Sequence, residues 1–186
     1  MYENDIAAYI KKEIEVLKGL DISSINAVMN ALVDAYESDG NIYIFGNGGS
    51  ASTASHFQND FNKGISENLE KKFNFVCLND NIPTVMAIAN DSGYEYVFEH
   101  QLKGRLKRKD LVIAISGSGN SVNVIKAIEY AKKQGVKTIG LTGFSGGKLA
   151  ELVDISFNVQ INDMQITEDV HMILDHLMMS VLMRKL

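Results

Sequence analysis

The sequence predicts an α/β fold: one five-stranded parallel sheet with helices on both faces, preceded by two further helices. Three observations carry this reading. Short apolar runs rich in strand-favouring residues recur after Gly40, helical stretches stand between them, and two glycine-rich turns each follow an apolar run and open a helix. Strands are expected at Ile42 to Phe45, Phe75 to Leu78, Leu111 to Ile115, Thr138 to Leu141 and Ile155 to Val159. Runs this continuously apolar suit strands buried on both faces, as in a parallel sheet, whose ligands bind beyond the carboxyl ends of the strands.

The elements follow in order. Ile6 to Leu20 and Ile25 to Tyr36 space apolar residues three and four apart, and Ser23 or Ser24 stands where the second helix would be capped. Residues 1–39 are therefore expected to form a helical extension that packs in an oligomer, and residues 40–186 the α/β core of a single domain. Ala51 to Phe61, Val122 to Gln134 and Gln165 to Leu186 supply the main later helices. The charged stretch Lys63 to Lys72 reads as a surface loop. Pro83, the only proline, suits the start of a short helix, where its missing N–H costs little. The last helix is apolar almost all round over Ile173 to Leu182, so burial on more than one side is expected, in the core and at a subunit interface.

Composition bounds the function. At 186 residues the chain can bury one core, and 46% hydrophobic with 22% charged residues is ordinary for a globular protein. A net charge of -5 without a basic cluster argues against nucleic acid as a partner. The N-terminus has acidic residues and no unbroken apolar run, so neither a signal peptide nor a membrane span is expected, and the cytoplasm is the default compartment. Cys77 is the only cysteine, which excludes an internal disulfide; it is expected as a small apolar residue in a strand.

The first glycine turn, Phe45-Gly46-Asn47-Gly48-Gly49-Ser50-Ala51, lets the backbone approach a ligand and offers free N–H groups at a helix start. Gly46, Gly48 and Ala51 satisfy the loose dinucleotide pattern G-x-G-x-x-A, but the acidic residue that pattern requires about 20 positions on is missing: Asp80 comes too late. No Gly-Lys-Ser/Thr follows either turn, which excludes a Walker loop. The second turn, Ser116-Gly117-Ser118-Gly119-Asn120-Ser121, is more specific. Three hydroxyls interleaved with two glycines at a strand end, with Asn120 or Ser121 beginning the helix, converge donors on a phosphate without any arginine. Gly143 to Gly147 forms a third glycine segment, which reads equally well as a plain connection.

The pair Gly-Asn-Gly-Gly-Ser-Ala and Ser-Gly-Ser-Gly-Asn-Ser, with Ile88-Ala89-Asn90-Asp91 between them, resembles the sugar isomerase (SIS) family and, within it, the phosphoheptose isomerases. The resemblance implies a flavodoxin-like three-layer sandwich, a homotetramer with sites at subunit interfaces, zinc, and conversion of sedoheptulose 7-phosphate to a heptose 7-phosphate. On that pattern Ser116, Ser118 and Ser121 would hold the phosphate, with Gly117 in place of the usual threonine. Asn47, Gly48, Gly49, Ser50 and Asp91 would meet the sugar. His56 and Asp60, four apart on one helix face, and Glu168 and His176 on the last helix would hold the metal. The family usually has glutamate at the position of Asp60 and glutamine at that of Glu168. Its arginine after the first core helix is missing, Lys63 being a displaced substitute at best. Isomerisation through an enediol needs a carboxylate base, Asp60 or Glu168, and an imidazole acid, His176. A non-catalytic module that binds a sugar phosphate is the alternative.

Overall fold

The computed structural model describes all residues from Met1 to Leu186. Its elements are α1 (Glu3–Lys18), α2 (Ile22–Glu37), β1 (Ile42–Gly46), α3 (Gly49–Asn59), β2 (Phe75–Cys77), α4 (Ile82–Asp91), α5 (Glu99–Leu102), β3 (Leu111–Ser116), α6 (Val122–Lys133), β4 (Lys137–Gly143), α7 (Gly147–Leu152), β5 (Ile155–Val159) and α8 (Met164–Leu182). All five expected strands form, and every pairing between them is parallel, in the order β2-β1-β3-β4-β5. The direction of winding reverses between β1 and β3, so their carboxyl ends open a crevice. Gly46 is paired with Ile115 there, one residue short of Ser116.

Alternation along the strands divides the core in two. Ile42 and Ile44 with Ile113, Ile115 and Leu141 face α2, α3 and α8. Tyr43 and Phe45 with Val112 and Ala114 face α5, α6 and α7. The first face is rich in aromatics: Phe61 lies against Phe75 at 4.5 Å and against Phe73 at 5.3 Å between ring centroids, contacts worth about 0.5–1.5 kcal/mol each beyond burial. Cys77 is buried in β2, as expected, and burial pushes its thiol up to about 12.

Several local expectations differ from the structure. Asp21, rather than Ser23 or Ser24, caps α2: its carboxylate accepts the Ser23 N–H, and the backbone ahead of the helix already holds it extended. The stretch after α3 is not a loop throughout. A π-helical turn (Asp60–Gly64) and a 3-10 turn (Ile65–Asn68) continue the helix, because Phe61 and Ile65 reach the core from it. Within the single chain the end of α8 buries Leu174, Met178 and Leu182 in the core, as expected, and leaves Leu177 and Met183 exposed on the side expected at a subunit interface. Pro83 does lie in the first turn of α4, which Asn81 caps by accepting the Thr84 N–H.

Helix α2 buries five residues against the sheet, whereas α1 buries none. Polar contacts to the start of α8 tie α1 down: Tyr9 donates to Asp169, and Lys12 pairs with Asp163 at 2.5 Å. No single helix is long and apolar enough to cross a membrane.

Candidate active site

The β1–β3 crevice holds a small cavity of about 180 Å³, lined by Asn47, Ser50, Ile115, Ser116, Gly117, Ser118, Ser121, Met164 and Glu168. A larger hollow of about 490 Å³ beside α1 and the end of β5 has neither glycine turn in its wall. Convergent donors, not size, distinguish the crevice. Ser121 is the N-cap of α6, yet its side chain makes no capping bond and instead lies 3.3 Å from the Ser116 hydroxyl. The Asn123 side chain takes the Val124 N–H at 2.9 Å, so the first two N–H groups of α6, with both hydroxyls, remain available to an anion. Ser118 accepts the Asn120 N–H at 3.2 Å.

The second and third glycine segments lock together. Gly143 donates to the Gly117 carbonyl and Leu149 to that of Gly119, both at 2.9 Å, while Lys148 donates its N–H to Asn120. Gly119 has φ +66, and a Cβ there would run into the Gly146 carbonyl, so only glycine fits. The third segment is thus a buttress for the serine turn, more than a plain connection.

Asn47 is held by a reciprocal amide pair with Asn123, 2.9 Å each way, and its oxygen also accepts from the Tyr94 hydroxyl at 2.8 Å. Asn79 bonds both backbone groups of Gly46 and so fixes the end of β1. Gly48, with φ +56, is the N-cap of α3, and Gly49 begins the helix with the Glu168 carboxylate against it where a Cβ would have to go. Glu168 thus sits at the positive end of α3, on the wall shared with the serines. Asp91, by contrast, is exposed at the end of α4 and accepts from Asn90; it does not line the cavity. Lys63 pairs with Glu67 on the surface at 3.2 Å and does not line it either.

Helices α3 and α8 run alongside each other away from the cavity, Gly49 against Glu168 at one end and Gly64 against Met179 at the other. About two turns from the cavity, roughly 10 Å along the axes, a second group of polar residues meets. The Nε2 atoms of His56 and His176 are 3.0 Å apart; Asp60 Oδ2 lies 3.5 Å from His56 and 3.8 Å from His176. Asp175 Oδ2 is 4.0 Å from His56 Nε2. One ligand atom from each of the four residues falls within 4.8 Å of all the others. A tetrahedral zinc with bonds of about 2.0–2.1 Å sets its ligand atoms about 3.4 Å apart, so the two histidine nitrogens would part slightly and the widest pairs, at up to 4.8 Å, would close by about 1.4 Å.

The electrostatics favour a cation in the middle. Asp175 is 0% exposed and neither carboxylate oxygen has a hydrogen-bond partner. Burial, reinforced by the neighbouring Asp60, pushes its carboxyl up to about 8. The histidine side chains are 38% and 57% exposed, leaving one side of the group open.

His56, Asp60 and His176 therefore come together as the sequence suggests, but Glu168 lies outside this group, and Asp175 stands in the fourth place. Sequence reasoning passed over Asp175 because it lies inside the apolar run Ile173 to Leu182; an acid in such a run is itself the signal that could have found it. Asn123 and Tyr94 were missed for lack of any motif. His171 is buried with Nε2 3.2 Å from the Thr142 carbonyl and Nδ1 unpartnered, and burial lowers its imidazole to about 4.

The SIS domain family model matches residues 2–143. A phosphoheptose isomerase from Helicobacter pylori strain P12 is 38% identical over 170 residues, 91% of this chain and 85% of that protein. One from Leptospira biflexa is 34% identical over 187 residues, covering 100% and 95%. Among solved structures, the phosphoheptose isomerase of Neisseria gonorrhoeae superposes with a TM-score of 0.88 at 30% identity over 98% of both chains. That of Francisella tularensis gives 0.90 at 25% identity over 99% of both.

Proposed function

The chain belongs to the SIS domain family, and from that premise we propose that it is a phosphoheptose isomerase, an aldose–ketose isomerase acting on sedoheptulose 7-phosphate. The observation that carries this reading within the molecule is the spacing of its two seats. A phosphate cradle and a His/Asp group stand roughly two helical turns apart along α3 and α8, about 10 Å, which matches a substrate with phosphate at one end and reacting carbons at the other.

Ser116, Ser118 and Ser121, with the Gly117 backbone and the start of α6, hold the phosphate. Asn47, Gly48, Gly49 and Ser50 border the sugar, and Asp91 joins them only if α4 moves inward. The His/Asp group binds zinc, with His56, Asp60 and His176 as ligands. Bound there, zinc polarises the substrate's carbonyl and hydroxyl oxygens. A carboxylate removes the proton beside the carbonyl: Asp60 or Glu168, with the sugar's length favouring Asp60, since the reacting carbons lie away from the phosphate. His176, half exposed at the mouth, moves the proton between the two oxygens.

Assembly into a tetramer would cover Ile6, Ile10 and Ile14 of α1 and Ile82 and Met86 of α4, all exposed in the single chain. Residues 1–39 are the extension that does this, on a core of residues 40–186.

Proton NMR of sedoheptulose 7-phosphate, with and without zinc and beside a panel of other ketose phosphates, tests the function. Turnover of the heptulose phosphate is expected. Binding without turnover of any of these compounds would overturn the isomerase and leave a sugar-phosphate-binding module.

A further inference from the structure

A buried carboxylate without a hydrogen bond is expensive, and proteins keep one only where a counter-charge or a metal meets it. Asp175 is such a group. It is fully buried, both oxygens lack partners, and no lysine or arginine pairs with it; what faces it is His56, 4.0 Å away, and the Asp60 carboxylate beyond. It belongs to the four residues whose ligand atoms lie within 4.8 Å of one another. Glu168 does not. It stands eight residues before His176, a rise of about 12 Å along the helix, with its carboxylate lodged against Gly49.

We infer that Asp175 is the fourth protein ligand of the metal, so that this chain binds zinc through two histidines and two aspartates and leaves Glu168 in the cavity, facing the sugar phosphate. Charge supports the assignment: the two carboxylates of Asp60 and Asp175 neutralise one divalent cation. Reach supports it as well. The Asp60 side chain is too short to draw a metal far from α3, and Asp175, rising from the floor of the group, meets it there.

The assignment deepens the metal reading given above, and one set of titrations separates the two. Zinc affinity is measured by competition with a chromophoric chelator, on metal-free wild type and the variants Asp175→Asn, Asp175→Leu and Glu168→Gln. Cobalt(II) absorption reports the coordination number. Losing even an outer partner of a ligand costs about 10–100-fold, so both Asp175 variants are expected to bind zinc at least about 100-fold more weakly. They should also shift the cobalt band. Glu168→Gln should stay within about threefold of wild type. Asp175→Leu also removes an unpaired buried acid, so the metal-free variant should melt at a higher temperature than wild type while gaining less from added zinc. Wild-type-like zinc affinity in both Asp175 variants, or an equal loss in Glu168→Gln, would overturn the assignment while leaving the metal site standing. Failure of the wild type to bind zinc at all would remove the metal reading and this assignment together.

Discussion

Glu168→Gln should tighten the hold of the serine cradle on an anion. The cavity of about 180 Å³ is about 7 Å across if compact, so a phosphate seated on Ser116 and Ser121 carries its charge about 7 Å from the Glu168 carboxylate on the same wall. At that separation a dianion and a carboxylate repel by about 1.2 kcal/mol at the dielectric of water and by about 5 kcal/mol at an effective value of about 20. The cavity opens to solvent, so the lower figure governs and corresponds to about an eightfold gain in affinity. Glutamine has nearly the same shape, which leaves the serine donors and the packing on Gly49 as they are. Its one other effect is loss of a charge at the start of α3, worth about 0.3–1 kcal/mol of stability. Isothermal titration of metal-free protein with inorganic phosphate, at low and then high salt, measures the gain. It should shrink as salt screens the repulsion. A variant that binds phosphate no more tightly than wild type at low salt would refute the placement of Glu168 on the phosphate wall.

His176→Gln should nearly abolish turnover while the sugar phosphate still binds, as read by rate and by titration; full turnover would take His176 out of the mechanism. Gly119→Ala should destabilise the fold by at least about 2 kcal/mol, since it adds left-handed strain and pushes the Gly146 carbonyl away; urea unfolding checks this, and phosphate binding should weaken with it. Acid should act through His171. Unfolded chains take up its proton near the ordinary value of about 6.5, while the folded protein refuses it down to about 4, so stability is lost as the pH falls through that window and levels off below it. The full difference, about 2.5 pH units at about 1.4 kcal/mol each, is about 3 kcal/mol. Equal pH slopes for wild type and His171→Phe in urea unfolding would refute it.

The strands were legible because each is a continuous apolar run, and the two ligand turns because glycines and hydroxyls at strand ends have few other uses. His56, Asp60 and His176 were legible as helical pairs. What escaped depends on how helices rotate against each other. Glu168 reads as a fourth ligand when α8 is taken alone, but its packing on Gly49 turns it into the cavity. Asp175 is invisible as a site residue until α3 is laid beside α8. Asn123 and Asn79 serve through paired amide bonds to Asn47 and Gly46, and nothing in their own neighbourhood announces that. Asp21 displaced Ser23 and Ser24 as the cap of α2 because three polar residues within four positions compete and only the backbone angles decide.

The π-helical turn after α3 makes the chain intolerant of deletion there. A π turn takes up one more residue than the α-helix it interrupts. Upstream of it, His56 looks toward α8; within it, Asn62 exchanges bonds of 2.8 Å with both backbone groups of Phe75 in β2. Removing any one residue between Phe61 and Gly64 would restore a regular helix and rotate one half against the other by about 100°. Either the sheet edge would lose its clamp or the histidine would turn away from its partners. The site depends on the length of this segment as well as on its residues.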